Sequence, residues 1–318
     1  MKNTVKAGIF GICIGDALGV PVEFRSREQL KRSPVTTMRS MGSHRQPAGT
    51  WSDDSSLTLC LTDSLCKGYD LEDMALKFLQ WYNEEIWTPY GRVFDIGIAT
   101  SQAIQRIGKG IVPTLCGGYS EFDNGNGSLM RILPLAFYLK DEENIESLYQ
   151  TVKEVSSITH GHFRSVFACF VYVVFAIELI KGKNKKEAYI YTQRMALEFA
   201  ESQRFNPKEI QLFARILCND ISQYPENEIS SSGYVLHSLE ASLWCFLNSG
   251  SYSESVLKAV NLGEDTDTTG AITGGLAGLY YGFEGIPEEW IEVLARKEDI
   301  EKLCRKLKDQ LMKSKHYE

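Results

Sequence analysis

Two acidic stretches carry the residues best suited to chemistry. Gly263 to Gly270 reads Gly-Glu-Asp-Thr-Asp-Thr-Thr-Gly, with carboxylates at Asp265 and Asp267 among the hydroxyls of Thr266, Thr268 and Thr269. Far upstream, Gly49 to Ser56 reads Gly-Thr-Trp-Ser-Asp-Asp-Ser-Ser, with Asp53 and Asp54 directly after the hydroxyl of Ser52. Both run into segments that read as helices. Oxygen-only donor sets of this kind suit Mg²⁺, Mn²⁺ or Ca²⁺ rather than zinc. Helix capping competes for each stretch, since Ser, Thr and Asp are good N-caps. The helix dipole accounts for one acid at such a place and less well for two. Neighbouring helical side chains diverge by about 100°, so Asp53 and Asp54 could serve two metal ions, or one metal and one hydrogen-bond partner.

A third stretch, Phe122 to Arg131, reads Phe-Asp-Asn-Gly-Asn-Gly-Ser-Leu-Met-Arg. Its Asn/Gly steps favour positive φ and converging amides, and Ser128 is expected at the N-terminus of a following helix. Amides and a helix N-terminus together suit phosphate; Arg131 adds slight weight to an anion site, with a structural ion pair as its equal alternative. A plain Asn-Gly turn with a Ser cap is the alternative. Asp16 lies at the end of the first helix, in Gly15-Asp16-Ala17-Leu18-Gly19, and Glu23 follows Pro21. Pro21 stops simple helical continuation, so Glu23 stands where a carboxyl can be aimed into a cleft. A surface ion pair with Arg25 or Arg27 is the bland alternative, usually worth little. His160 and His162 lack a third soft or nitrogen ligand nearby, so a hydrogen-bonding histidine is expected rather than a zinc ligand.

The elements that must position these groups read as helices throughout. They are expected at 4–18, 57–65, 71–85, 92–107, 133–139, 142–156, 163–179, 185–201, 207–221, 235–247, 252–260, 288–296 and from 298 onward, with a close-packed small-residue helix over 271–282. The polar stretch 25–49 has no period and reads as a lid, a substrate-facing flap or a long connection. No alternating run long enough for a sheet stands out, and no repeat or linker divides the chain. The expectation is an all-α fold of a dozen or more helices in one domain, 1–318.

At 318 residues, 43% apolar and 24% charged, the composition is that of a soluble globular protein. A formal net charge of −7 argues against a general nucleic-acid binder. The eight cysteines show no C-x-x-C and no zinc spacing, and are expected to be reduced, as in a cytoplasmic protein. Lys2 and Lys6 precede an apolar stretch, but Asp16 interrupts it and no cleavage site follows. The apolar run 166–180 is short for a membrane span and contains Glu178, so a buried helix is expected. A monomer away from membranes is expected.

Taken together and in this order, five segments resemble the ADP-ribosylglycohydrolase family. They are Gly15 to Gly19 with Glu23, Trp51-Ser52-Asp53-Asp54-Ser55, Gly125-Asn126-Gly127-Ser128 with Met130-Arg131, Thr159-His160, and Gly263 to Thr268 with its small-residue helix. The resemblance implies an all-helical fold with a two-metal cleft holding Mg²⁺ or Mn²⁺. Ser52, Asp53 and Asp54 match one half of the family's metal site, and Asp265, Asp267 and Thr268 the other. Glu23 falls where some relatives place an acid over the metals. Gly125, Asn126, Gly127 and Ser128 match the loop that holds ADP-ribose, and His160 another ligand contact. Many relatives have Thr at the place of Ser52, so the hydroxyl is kept. Some have an aromatic at the place of Asn124, so no stacking contact is expected there.

The implied reaction is hydrolysis of ADP-ribose from a modified protein side chain, arginine before serine or an acetyl ester. It passes through an oxocarbenium-like state, with Glu23, Asp53 or Asp54 as the candidate proton carrier. Two other readings compete: a non-catalytic, crystallin-like ADP-ribose binder, and an isoprenoid synthase. The usual first motif of the synthase needs an acid three positions after the second Asp, where this chain has Leu57.

Overall fold

The structure, a computed structural model, describes residues 4–314. Among them are sixteen α-helices, six short 3₁₀ turns and no strand. The first is α1 (Thr4–Gly19), followed after a loop by the short α2 (Arg27–Arg32). A long irregular stretch leads to α3 (Asp53–Leu65) and α4 (Leu71–Glu84), then α5 (Ile98–Gly108) and the five-residue α6 (Pro134–Tyr138). The middle of the chain forms α7 (Ile145–Ser157), α8 (Phe163–Ile180), α9 (Lys185–Ser202), α10 (Pro207–Gln211) and α11 (Ala214–Leu217). The remainder is α12 (Val235–Leu247), α13 (Tyr252–Val260), α14 (Thr266–Tyr281), α15 (Glu288–Val293) and α16 (Lys297–Ser314).

The core is organised around α1 and α14, which are buried almost all round. Both are rich in small residues, and those residues meet. A Cβ built on Gly11 would sit on the carbonyl of Gly274, and one on Gly15 on the carbonyl of Gly270. Gly278 abuts the Ala7 carbonyl in the same way, and Gly19 lies on the backbone of Asp267. The register runs antiparallel, so the C-terminal end of α1 meets the N-terminal end of α14. Two buried tyrosines tie this pair to its neighbours: Tyr252 Oη donates to Gly11 O at 2.8 Å and Tyr172 Oη to Ile272 O at 3.0 Å.

Two helices, over Thr4–Val22 and Phe163–Ile180, are long and apolar enough to cross a membrane by length and composition, yet 94% and 83% of them are buried inside the protein. Both are therefore core helices, as expected for 166–180. All eight cysteines are free thiols.

Three expectations change. The stretch 92–107 is helical only from Ile98. Asp95 adopts a left-handed φ of 53° and Gly97 is extended, which together break the helix that Val93, Phe94 and Ile96 suggest by spacing. The segment 207–221 splits into α10, α11 and a 3₁₀ turn, and the break at 212–213 seats the buried Phe213 edge-on against Phe167 at 5.0 Å. Within 25–49, the short α2 leaves no apolar period because only Leu30 is buried; a capping box between Ser26 and Gln29 defines it.

The glycine contacts predict a sharp asymmetry. Gly270→Ala should destabilise by at least ~1–3 kcal/mol, because its methyl meets backbone that cannot move aside. Gly108→Ala, with Leu79 Cδ1 at an ordinary 3.5 Å, should cost little. Urea unfolding of both variants checks this.

Candidate functional site

The antiparallel packing carries Asp16 to the start of α14, and Asp16 in turn fixes α3. Its fully buried carboxylate accepts from Ser52 N at 2.9 Å, Ser55 N at 3.0 Å and Ser55 Oγ at 2.5 Å. The residue at the end of α1 thus holds the N-terminus of α3 in place. Ser52 caps α3 by accepting from Asp54 N at 3.3 Å. Asp53 and Asp54 are thereby left without a capping role. Asp265 precedes α14 but makes no side-chain cap, and Asp267 Oδ1 accepts from its neighbour Thr268 N at 2.9 Å. Helix capping does not account for these acids.

Glu23 is brought in by a separate device. The 3₁₀ turn Val20–Val22 follows α1, and Phe24 N donates to Glu264 O while Glu264 N donates to Arg25 O, each at 2.7 Å. This tie places Glu23 beside the start of α14. A hairpin closed by Met41 and Gln46 clasps it from outside: Ser43 Oγ donates to Glu23 O at 2.6 Å, and His44 Nε2 meets Glu23 Oε2. Glu23 is only 5% exposed, so it makes no surface ion pair. Arg27 donates instead to the carbonyls of Leu262, Glu226 and Ile229.

Donor atoms of Glu23, His44, Asp95 and Asp267 lie within 4.8 Å of one another, as do those of Asp16, Asp54 and Asp267. Asp54 Oδ2 accepts from Ser52 Oγ at 2.8 Å and Thr268 Oγ1 at 3.3 Å. Asp54 Oδ1 and Asp267 Oδ2 are buried with no partner. Burial first, and mutual repulsion second, push Asp53, Asp54 and Asp267 well above the usual carboxylate range. Burial likewise raises Asp265, against the donors that favour its charge. It also raises Asp16 to about 6 and Glu23 to about 7, although His44 opposes the rise at Glu23. A buried oxygen with no donor and carboxylates crowded against one another are what a hard divalent cation would resolve. The two unpartnered oxygens point to Asp54 and Asp267, within the acids grouped around them, as residues that could hold such a cation.

Beside these acids lies a cavity of ≈ 260 Å³, lined by Glu23, Asp53, Asp95, Asp265 and Thr268 on one part and Gly125, Asn126, Gly127 and His160 on another. Asp54 does not line it. The 124–127 loop is pinned to the start of α12: Asn126 N donates to Gly233 O, and Val235 N to Asn124 O. Asn126 Nδ2 also donates to Ser238 Oγ at 2.8 Å and Asp265 Oδ2 at 2.7 Å, joining this loop to the acids. Gly125 and Gly127 have ordinary φ, contrary to the positive φ that the Asn/Gly steps suggest. Their glycine identity answers to His160 instead. A Cβ on Gly127 would lie 2.7 Å from His160 Cε1 and 2.9 Å from Thr100 Oγ1.

His160 is buried, and burial with Arg131 nearby lowers its pKa to about 3, so the ring is neutral. Arg131 Nη2 donates to Thr159 Oγ1 at 2.7 Å, and that hydroxyl lies 2.9 Å from His160 Nδ1. The hydroxyl proton is then available to Nδ1, and the ring presents Nε2–H towards the cavity. His162 instead caps α8, accepting from Arg164 N.

Two sequence expectations fail here. Ser128 does not begin a helix; turns run to Leu133 and α6 starts at Pro134. Its hydroxyl is fully buried, accepting from Ser156 Oγ at 2.9 Å and lying 3.4 Å from Cys169 Sγ. Arg131 faces no anion: it is wholly buried, over the Phe78 ring at 4.6 Å. Conversely, Asp95 and His44 join the site unforeseen. Asp95 lies where the spacing suggests a helix, with only Gly97 to mark a break; His44 lies in the aperiodic stretch 25–49.

The raised carboxylates predict a pH dependence for metal-free protein. Groups whose folded pKa exceeds the unfolded value stabilise most when protonated, so stability falls as pH rises from about 4 to about 7 through this window. Melting of chelated protein should drop across it, and Mg²⁺ or Mn²⁺ should restore stability most at the upper end.

The profile of the ADP-ribosylglycohydrolase family matches residues 1–316. The chain is 34% identical over 313 residues to ADP-ribosylarginine hydrolase Tri1 of Pseudomonas putida (strain GB-1), covering 97% of this chain and 78% of that protein. It is 29% identical to ADP-ribosyl-[dinitrogen reductase] glycohydrolase of Rhodospirillum rubrum, covering 95% and 93%. A solved ADP-ribosylglycohydrolase-related protein complex superposes with a TM-score of 0.81 at 31% identity, covering 97% of this chain and 98% of that one. Acids at paired helix starts, the glycine loop against a neutral histidine, and this likeness along nearly the whole length agree: the chain belongs to the ADP-ribosylglycohydrolase family.

Proposed function

We propose that this chain hydrolyses the N-glycosidic bond between ADP-ribose and an arginine side chain of a modified protein, releasing ADP-ribose, with two divalent cations, Mg²⁺ or Mn²⁺, as cofactors. The observation that carries the reading is the pair of buried, unpartnered oxygens, Asp54 Oδ1 and Asp267 Oδ2, among acids that adjoin a cavity lined by Glu23, Asp53, the Gly125–Gly127 loop and His160. The arginine linkage rests on the likeness to the ADP-ribosylarginine hydrolases.

When bound, the cations would hold ribose hydroxyls and lower the pKa of a water. The protein supplies the rest. Glu23 lines the cavity with its carboxyl held beside His44, where it can take the proton of the attacking water and return it to the leaving nitrogen. Asp53 also lines the cavity, whereas Asp54 is held by Ser52 and Thr268 away from it, so Glu23 is the first choice as proton carrier. Asn126, fixed between Ser238 and Asp265, couples the substrate loop to the acids. His160 offers a neutral donor to a substrate oxygen, and Gly125 and Gly127 leave room for it to do so.

Release of ADP-ribose from arginine-ADP-ribosylated protein, with and without Mg²⁺ or Mn²⁺, tests the proposal. Asp267→Asn should lose metal affinity and turnover together. Glu23→Gln should keep metal binding and lower kcat by about 10²–10⁴. A metal-replete Asp53→Asn/Asp267→Asn variant with full activity would overturn the reading. Gly127→Ala should raise KM more than it lowers kcat, because its methyl displaces His160, and steady-state kinetics separate the two.

A further inference from the structure

Phe24 is a large apolar residue that is 72% exposed and held at a left-handed φ of 66°. Neither feature helps the fold: the ring stays in water and the backbone is strained. The conformation is nonetheless firmly held by the bonds joining residues 24 and 25 to Glu264. The Phe24 ring lies 5.8 Å from the His44 ring, and the other neighbour of His44 is the half-buried Phe94, at 5.3 Å. Three rings thus form a row. Each phenylalanine is the chain neighbour of an acid that lines the cavity, in Glu23-Phe24 and Phe94-Asp95. Asp95, like Phe24, is left-handed, at φ 53°. The middle ring touches the Glu23 carboxylate, and its nitrogen lies within 4.8 Å of donor atoms of Asp95 and Asp267.

An aromatic row flanked by carboxylates suits a flat, delocalised cation. A guanidinium stacks on ring faces, sheds water more readily than an ammonium and pairs with acids. We propose that Phe24 and Phe94, the two phenylalanine rings set against His44, form the platform for the guanidinium of the substrate arginine, with Phe24 as a positioning residue for the leaving group. This rests on the arginine reading above. The bond to be cut ends on that guanidinium, so its place is next to Glu23 and Asp95, where the row stands. The left-handed backbone at Phe24 leaves its ring in solvent against His44 instead of packing it into the core.

The test compares two substrates that share ADP-ribose and differ in the leaving group: arginine-linked, with a guanidinium, and serine-linked, with a neutral oxygen. For Phe24→Ala, kcat/KM on the arginine substrate should fall about tenfold relative to the serine substrate. The loss should lie mainly in KM, with calorimetric affinity for free ADP-ribose unchanged. Phe24→Tyr, which keeps a ring, should restore discrimination. Phe24→Gly suits the left-handed backbone, so it should lose no thermal stability and yet lose discrimination, separating positioning from folding. Equal losses on both substrates, or weakened ADP-ribose binding, would overturn the platform and leave the hydrolase reading intact. Wild-type protein active on the serine linkage alone, or on neither, would overturn the arginine reading and the platform together.

Discussion

The site depends on how closely α1 and α14 approach. Backbone lies against backbone at Gly11 and Gly274 and at Gly15 and Gly270, with no side chain between. That contact fixes rotation and register at once, since a slip by one residue would bring a Cβ into a carbonyl. It sets Asp16 against the start of α14, and Asp16 then binds the amides that open α3. Two acidic stretches more than two hundred residues apart in sequence are therefore positioned by one helix pair and one buried carboxylate.

Concentrating acids in a dry site opposes folding. Burial and repulsion raise the pKa values of nearly all of them, and two oxygens have no donor at all. Structural carboxylates usually find donors. Asp16 follows that rule with bonds from Ser52 and Ser55; Asp54 Oδ1 and Asp267 Oδ2 break it. The contrast separates the acid that builds the site from the acids that a cation would satisfy. Cavity size would not have made this distinction. A larger hollow of ≈ 390 Å³ lies between the 140–145 loop, α8 and α9, but there Glu178 is already paired with Lys181 and Lys183.

The other part of the cavity is built on different lines. His160 is kept neutral by burial beside Arg131, a residue whose charge never reaches the cavity. A cation buried over Phe78 thus acts at a distance, through Thr159, on the histidine that does line it. Strained positions gather at the acid end instead: Phe24, Asp95 and Glu264 all have positive φ. Such strain persists only where surrounding bonds enforce it, and it is frequent at ligand-binding sites.

The sequence by itself determined the helical class, most helix limits, and the two acidic stretches with their hydroxyls. Those features are local: a 3.6-residue period, a cap, a run of small residues. It also marked Glu23 and the Gly125–Gly127 loop, though for the loop it suggested the wrong physics, since steric room for His160 rather than positive φ requires the glycines. Only the tertiary structure decided that Asp95 and His44 belong to the site, because left-handed backbone and a clasping hairpin leave no periodic trace in sequence. Only it separated Asp16 the brace from Asp267 the free donor, and removed Arg131 and the Ser128 hydroxyl from the cavity. What a carboxylate or guanidinium does is set by which partners surround it, and those partners lie in distant parts of the chain that meet only when α1 closes on α14.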